Sequence, residues 1–383
     1  MIKSILLVGI VTFFSIHNLE ARKRSSDPLR PTWVITPGLK SKLGPRVYHR
    51  IQTFILEHSS KPYLIFANPD FGVSAHSPTT GEKYWQYGIR FGTEAKPTAI
   101  DQYIFIPGLD GQVHALNGET GEVLWNFPTR SENMAELAVR KGLLYVVTAQ
   151  NAVYCLEAAT GRQVWLYSRP EGSSFSIRGA GRPALFENRV IVGFNDGFMV
   201  ALDAHSGKQI WETELSKKGR FRDLDSDLVV HEGVLYFGSV NGPVGGLDPK
   251  TGEVLWELPH NMSGGFAFSQ NVFAFGDLGG HLWELDKKQR TPTLELKSQR
   301  GLISTPVYLG NRYLLYGESQ GDFVIYDRIA RREWGRYATG RGLGGGAPKV
   351  FIQNDKVWIY VVSNEGYLYA FLRDWNQQEE VLY

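Results

Sequence analysis

The side chains able to do chemistry are scattered, and their spacing decides against most catalytic classes. His114, His205, His260 and His281 fall in separate segments, without the short spacing that brings two imidazoles onto one metal ion. Asp203 and Asp248 recur in acidic turns, yet neither opens the Asp-x-Asp-x-Asp-Gly pattern of a calcium loop; turn formation is the role their position suggests. The stretch RGLGGGAP at 341–348 is rich enough in glycine to cradle a phosphate. It lacks a closing Gly-Lys-Ser/Thr and runs into a strand, Val350-Phe351-Ile352, rather than a helix, so it reads as a connecting loop. No Gly-x-Ser-x-Gly elbow is evident. Cys155 is the only cysteine, so it forms no internal disulfide, and its setting in AVYCL is that of a small core residue. No residue set points to catalysis, a cofactor or a bound metal.

Binding chemistry has better candidates. In SSFSIRG, at 173–179, Phe175 and Ile177 alternate with serine in what should be a loop, where large apolar groups need a cover. Arg178 follows them directly. In GRFRDLD, at 219–225, Asp223 and Asp225 flank Leu224. The two segments occupy equivalent points of neighbouring repeats, so Arg178, Asp223 and Asp225 could face one another near a rim. Two roles are open to them. They form an exposed patch for a protein partner, or Phe175 and Ile177 begin an inner strand and Arg178 makes a structural ion pair.

The elements that must position these segments are repeats. A motif Gly-x-Val-x-Ala-Leu-Asp-x-x-Thr-Gly-x-x-x-Trp is clearest at 111–125, GQVHALNGETGEVLW. Copies end at Trp85, Trp125, Trp165, Trp211 and Trp256, spaced 40, 40, 46 and 45 residues apart. A degenerate copy ends at Trp334, and another carries Leu294 where the tryptophan should stand. The two longest intervals are those that contain the unusual segments. A fixed period of this size marks a repeat architecture.

Each copy opens on a turn dipeptide such as Asp110-Gly111 or Asp196-Gly197, expected to form a two-residue hairpin turn. An alternating strand follows, then a turn such as 117–121 or 203–207, then the strand bearing Trp. With the strand pair upstream, this gives four strands per unit, the size of one propeller blade. Helical periodicity is nearly absent. Motifs at Gly72, Gly111, Ala152, Gly197, Gly242, Gly280, Gly321 and Gly366 number eight, and the last lacks its Trp strand. Trp33, in PTWVIT, supplies the missing piece. The expected fold is therefore all-β: an eight-bladed β-propeller of four-stranded antiparallel blades, its ring closed by the N-terminal strand, which removes exposed sheet edges. The tryptophans, Trp33, Trp85, Trp125, Trp165, Trp211, Trp256 and Trp334, are expected to dock each blade on the next. Burying roughly 200 Å² of indole at about 25 cal/mol/Å² contributes up to ~5 kcal/mol each. Leu294 should weaken its junction.

Residues 1–21 have Lys3, an apolar run from Ile5 to Ile16 and Ala21 as a cleavage end, the pattern of a secretory signal peptide. Leu19 makes the cleavage box poor. Residues 22–32 read as a polar linker, 33–377 as the propeller and 378–383 as a tail. A net charge of +2 with interspersed signs gives no reason to expect nucleic acid as a partner.

The repeat resembles that of the pyrroloquinoline-quinone-type propellers, and the whole chain resembles the BamB family, which assists assembly of β-barrel proteins in the outer membrane. The specific part lies in the two loop segments. The family shows Ser-Leu-x-Leu-Arg-Gly where this chain has Ser174-Phe175-Ser176-Ile177-Arg178-Gly179, and Asp-Val-Asp where it has Asp223-Leu224-Asp225. The resemblance implies a non-catalytic periplasmic scaffold at the outer membrane of a Gram-negative bacterium, a monomer within a hetero-complex. It implies that Phe175, Ile177, Arg178, Asp223 and Asp225 contact the soluble domains of a BamA-like protein, with no cofactor. Two departures stand out: Phe175 replaces leucine, and no cysteine follows the signal segment to carry the lipid common in the family. Association with the membrane then falls to the partner or to an uncleaved N-terminus. Rival readings are a secreted propeller for another protein or a polysaccharide, and a relative of the quinone-dependent dehydrogenases. The lone cysteine rules out the vicinal disulfide often found in those enzymes.

Overall fold

A computed structural model describes residues 29–36, 53–57, 61–68, 72–133, 135–169, 181–215, 224, 226–240, 242–343 and 346–374. All regular structure in these residues is strand. Eight antiparallel sheets of four strands follow one another along the chain: blades 1 (53–88), 2 (98–128), 3 (138–168), 4 (184–214), 5 (229–258), 6 (267–297), 7 (307–337) and 8 (349–374). Within each of blades 1–7 the strands pair in chain order, from the innermost to the outermost.

Blade 8 has only three strands of its own, and its fourth is Trp33–Ile35. Trp33 pairs with Ala370, Val34 with Tyr369 and Ile35 with Leu368. The Thr32 amide adds a bond to the Ala370 carbonyl at 2.6 Å. The two ends of the propeller thus complete one sheet. Innermost strands of neighbouring blades touch at several junctions, as strands set around a common ring axis do.

The alternating sequence produces the blade interiors. Middle strands such as Val190-Ile191-Val192 and Phe273-Ala274-Phe275 are fully buried, because both sheet faces meet neighbouring blades. Outer strands alternate, as in Gln209–Glu214, where only one face meets a blade. The interior is shared: each apolar cluster draws on two consecutive blades, for example Tyr145 and Trp165 with Val190 and Leu202. Cys155 lies in that cluster, and burial pushes its thiol up to about 12.

Two details differ from the expectation. The hairpins after the second strands are longer than two residues: Gly108 N–H donates to the Gln112 carbonyl, and within that loop only Gly111 has positive φ, 77°. Asp110 keeps an ordinary φ and accepts the Gln112 amide on its carboxylate, so its role is side-chain bonding. The other difference concerns Trp334. Ala75, Ala115, Cys155 and Ala201 lie opposite Trp85, Trp125, Trp165 and Trp211, but in blade 7 it is Gly335 that lies opposite Ile325. Trp334 sits one residue early, in the β-bulge.

Candidate functional site

Three kinds of side-chain arrangement recur at fixed places in the ring: the blade junctions, the imidazole-bearing hairpins, and the connections between blades on the face that carries the second hairpins. That face is the upper one.

At five junctions, one arrangement repeats. The indole N–H of Trp33, Trp85, Trp125, Trp165 and Trp211 donates to Thr79, Gly118, Ala158, Ala204 and Pro249, each a carbonyl in the next blade's lower turn, at 3.0–3.2 Å. Each ring lies flat on the glycine of that turn. A methyl group at Gly121, Gly161, Gly207 or Gly252 would meet the ring at 2.6–2.7 Å. Glycine is needed there twice, for its positive φ and for the space.

The next three junctions are built differently. Trp256 leans on Gly246 of its own blade and its N–H has no partner, while Arg290, at φ 60°, stands where the glycine would be with its guanidinium 5.0 Å from the ring. Leu294 leaves room for ionic contact. Buried Glu284, opposite Leu294, accepts from Arg328 Nε of blade 7 at 2.5 Å, from Tyr308 Oη at 3.0 Å and from Thr293 Oγ1 at 2.8 Å. Trp334 contacts blade 8 through Arg373, whose guanidinium lies 4.0 Å from the ring.

The histidines are absorbed locally. His114 Nε2 faces both Asp110 oxygens at 3.2 Å, while its Nδ1 lies 3.2 Å from Tyr87 Oη and 3.1 Å from Asn126 Oδ1. His281 pairs with Asp277, and the His260 ring packs at a tilt of 47° against Trp283, centroids 4.6 Å apart. Burial holds His260 below its ordinary value. His205 lies on an exposed turn, its amide bonded to Asp203 Oδ1. The Asp203 and Asp248 carboxylates accept amides two residues on, as turn formers do. Among the described residues no group of three or more His, Cys, Asp or Glu side chains could hold a metal ion.

Phe175, Ile177, Arg178, Asp223 and Asp225 all lie outside the described residues, but the points where their segments leave and rejoin the fold are described. Both segments are connections on the upper face, from blade 3 to 4 and from blade 4 to 5. They flank one hairpin, 194–198. The first leaves at Arg169, whose guanidinium donates to Asp196 at 2.8 Å and to Glu212 at 3.0 Å, and lies 5.0 Å from the Phe198 ring. The second leaves at Leu215, whose amide donates to Gly197, and returns at Leu224, whose amide reaches the Phe194 carbonyl at 3.4 Å. Leu224 is buried against Gly193, where a methyl group would meet its Cβ at 2.7 Å.

The returning ends also meet each other. The Arg182 amide donates to Asp227 Oδ1 at 3.1 Å, and Leu228 N–H to the Arg182 carbonyl at 3.3 Å. Inward of them, Glu136 accepts from Lys96 at 3.0 Å, and Arg182 Nε stands 3.6 Å away. Burial raises the Glu136 carboxyl above its usual range, against the pull of those two cations. One framework therefore holds both segments: blade 4's upper hairpin outside, and a chain of charged residues from blades 2–5 near the axis.

Sequence reasoning did not anticipate the peg-and-glycine fit. Gly193, Gly276 and Gly317 end the second strands of blades 4, 6 and 7, Gly238 directly follows that of blade 5, and they closely face Leu224, Ile303, Leu343 and Met262 in turn. The signal was present as an apolar residue followed by glycine at one offset in four successive repeats.

Comparison with known proteins gives the same architecture and a family. The family described as outer membrane protein assembly factor BamB matches residues 69–245 and 240–370. The BamB of Legionella pneumophila (strain Paris) is 29% identical over 206 residues, 51% of each chain. That of Yersinia pestis is 26% identical over 220 residues, 52% of this chain and 51% of its own. The chain thus matches about half the length of these relatives. In structure, BamB from Moraxella catarrhalis superposes with a TM-score of 0.74 at 20% identity, covering 90% of this chain and 100% of its own. A europium-containing methanol dehydrogenase superposes at 0.71 and 14% identity, a likeness of fold alone.

Proposed function

The chain belongs to the family of the outer membrane protein assembly factor BamB, and on that premise we propose that it is a non-catalytic scaffold in outer-membrane protein assembly. It works at the periplasmic face of the outer membrane of a Gram-negative bacterium and binds the soluble domains of a BamA-like protein. The contact is made by Phe175, Ile177, Arg178, Asp223 and Asp225. The observation that carries this reading is the shared framework: both segments are anchored on the 194–198 hairpin, and the residues just beyond them, Arg182 and Asp227, are bonded to each other. Ends tied in this way start both segments from one framework, which supports a joint contact. An apolar pair beside an arginine and two carboxylates suits a protein surface with apolar and charged elements of its own.

Capture of the purified soluble domains of the BamA-like protein tests this. Phe175→Ala and Ile177→Ala should each leave the melting temperature near that of the parent. Each should weaken capture roughly thirtyfold, since central anchors commonly cost about 2 kcal/mol or more on truncation. Arg178→Glu should do the same, and adding Asp223→Arg should recover part of the loss if the two side chains are close. A Phe175→Ala protein that loses about 3–5 kcal/mol of stability would place that ring in the core instead. Unchanged capture by all the variants would leave only a propeller of another specificity.

A further inference from the structure

The connection from blade 1 to blade 2, also on the upper face, carries an exposed aromatic side chain on a tightly held backbone. Its backbone is fixed on both sides. Ile89 is buried, and the Gly92 amide closes a turn on the Ile89 carbonyl at 2.9 Å. The Gly92 carbonyl accepts Leu109 N–H at 3.1 Å, and Thr93 Oγ1 donates to Pro107 at 2.7 Å. Phe91 occupies the turn's second corner at φ 66°, a left-handed conformation that glycine takes freely and a bulky residue rarely takes. Phe91 is 63% exposed, and it is the one aromatic among the strongly exposed large apolar residues that the structure describes. The Arg90 guanidinium, exposed as well, lies 4.8 Å from the ring.

Strained backbone that presents an exposed ring points to a use for the ring. We propose that Phe91, with Arg90 stacked beside it, is an anchor for a protein partner, entering an apolar recess bordered by carboxylates. The proposal rests on the function given above: the partner is the same BamA-like protein, engaged on the same face. Arg130, exposed in the blade 2-to-3 connection, lies along that face toward blades 3 and 4 and extends the demand for acidic groups opposite. A ring held on a fixed turn loses little freedom on binding, and aromatic and arginine side chains are the usual anchors of such contacts. Two cations and one ring are too few to hold a lipid surface.

The test uses Phe91→Gly and Phe91→Asn in the full chain. Both residues suit the left-handed corner, so the melting temperature should stay level or rise by about 1–3 °C. Capture of the purified soluble domains should nevertheless weaken tenfold or more. Arg90→Glu should weaken capture as well, most at low salt. A fall of several degrees in melting temperature would make Phe91 a structural residue and overturn the proposal. So would unchanged capture by all three variants while Phe175→Ala still loses it, leaving the wider function intact. A wild-type chain that is not captured at all overturns both. If the variants instead lose co-sedimentation with phosphatidylethanolamine–phosphatidylglycerol vesicles, or lose a self-associated species in sedimentation, the occupant is a membrane or a second copy and the assignment is wrong.

Discussion

Arg290 stands over the Trp256 ring at 5.0 Å, in the place where Gly161 lies under Trp125. The substitution changes how two blades hold together. At the Trp125 junction an indole lies flat on a glycine and donates to a carbonyl; at the Trp256 junction the indole N–H is buried without a partner.

Trp125→Phe should therefore cost more stability than Trp256→Phe, by about 1 kcal/mol, because only the first loses a hydrogen bond. Both lose similar apolar area. Chemical denaturation followed by intrinsic fluorescence and by circular dichroism gives the difference, and equal losses would mean that the indole bond contributes nothing.

The Glu284–Arg328 pair should behave as a buried ion pair. Glu284→Ala leaves Arg328 without its carboxylate and should cost about 3–5 kcal/mol. Glu284→Leu combined with Arg328→Leu should cost clearly less than either change to alanine. A double-mutant cycle by thermal unfolding measures the coupling, and additive losses would contradict a direct pair.

His76 should make the propeller sensitive to mild acid. Burial, its largest influence, lowers it to about 4, although its bond to the Gly81 carbonyl acts in the opposite sense. The folded state prefers the neutral ring. Its contribution is thus complete above about pH 6.5 and is lost as pH falls from there toward 4, by up to about 3 kcal/mol. His231, lowered by burial and by Lys287, acts in the same direction. The slope of melting temperature against pH should flatten in this window for His76→Gln; an unaltered slope would assign the acid sensitivity elsewhere.

Deleting residues 28–37 should prevent stable folding, whereas deleting 22–27 should be tolerated. The longer-reaching loss includes Leu29, buried in the blade 7–8 interior, and Trp33, which completes blade 8 and docks on Gly81 of blade 1. Expression level and melting temperature of the two truncations decide it; equal values would show that the ring closes by another route.

The blade count and the closing strand were legible because both rest on fixed offsets. Eight hairpin signals and a Trp strand missing at one end but present at the other leave little freedom. The copy that ends at Trp334 is degenerate because its motif is one residue short. From the turn's first residue, Trp125 lies eight positions after Asn117 and Trp211 eight after Asp203, but Trp334 lies seven after Asp327, so Gly335 takes the paired position. The arginines at 290 and 331 replace turn glycines at positive φ, and a composition pattern has no means of showing what they reach for. For the two segments proposed to meet a partner, the residue types were legible in the sequence, and the structure adds the posts at Arg169, Leu215 and Leu224 from which they hang.

The pairing of Trp33 with Ala370 also dictates an order in time. Nearly every other strand contact in the molecule is local, so blades can condense as they emerge. The last sheet alone must wait, since its outer strand comes from the start of the chain and its partner from near the end. Until then the chain is an open arc. Closing it requires two segments some 340 residues apart to meet, a search whose entropy the local contacts do not offset in advance. Meanwhile the arc presents two sticky ends, the inner face of blade 1 and the unfinished blade 8, to any neighbour in the same condition. The slowest step of maturation should accordingly be ring closure, and its characteristic failure an exchange of the 29–36 segment between two chains.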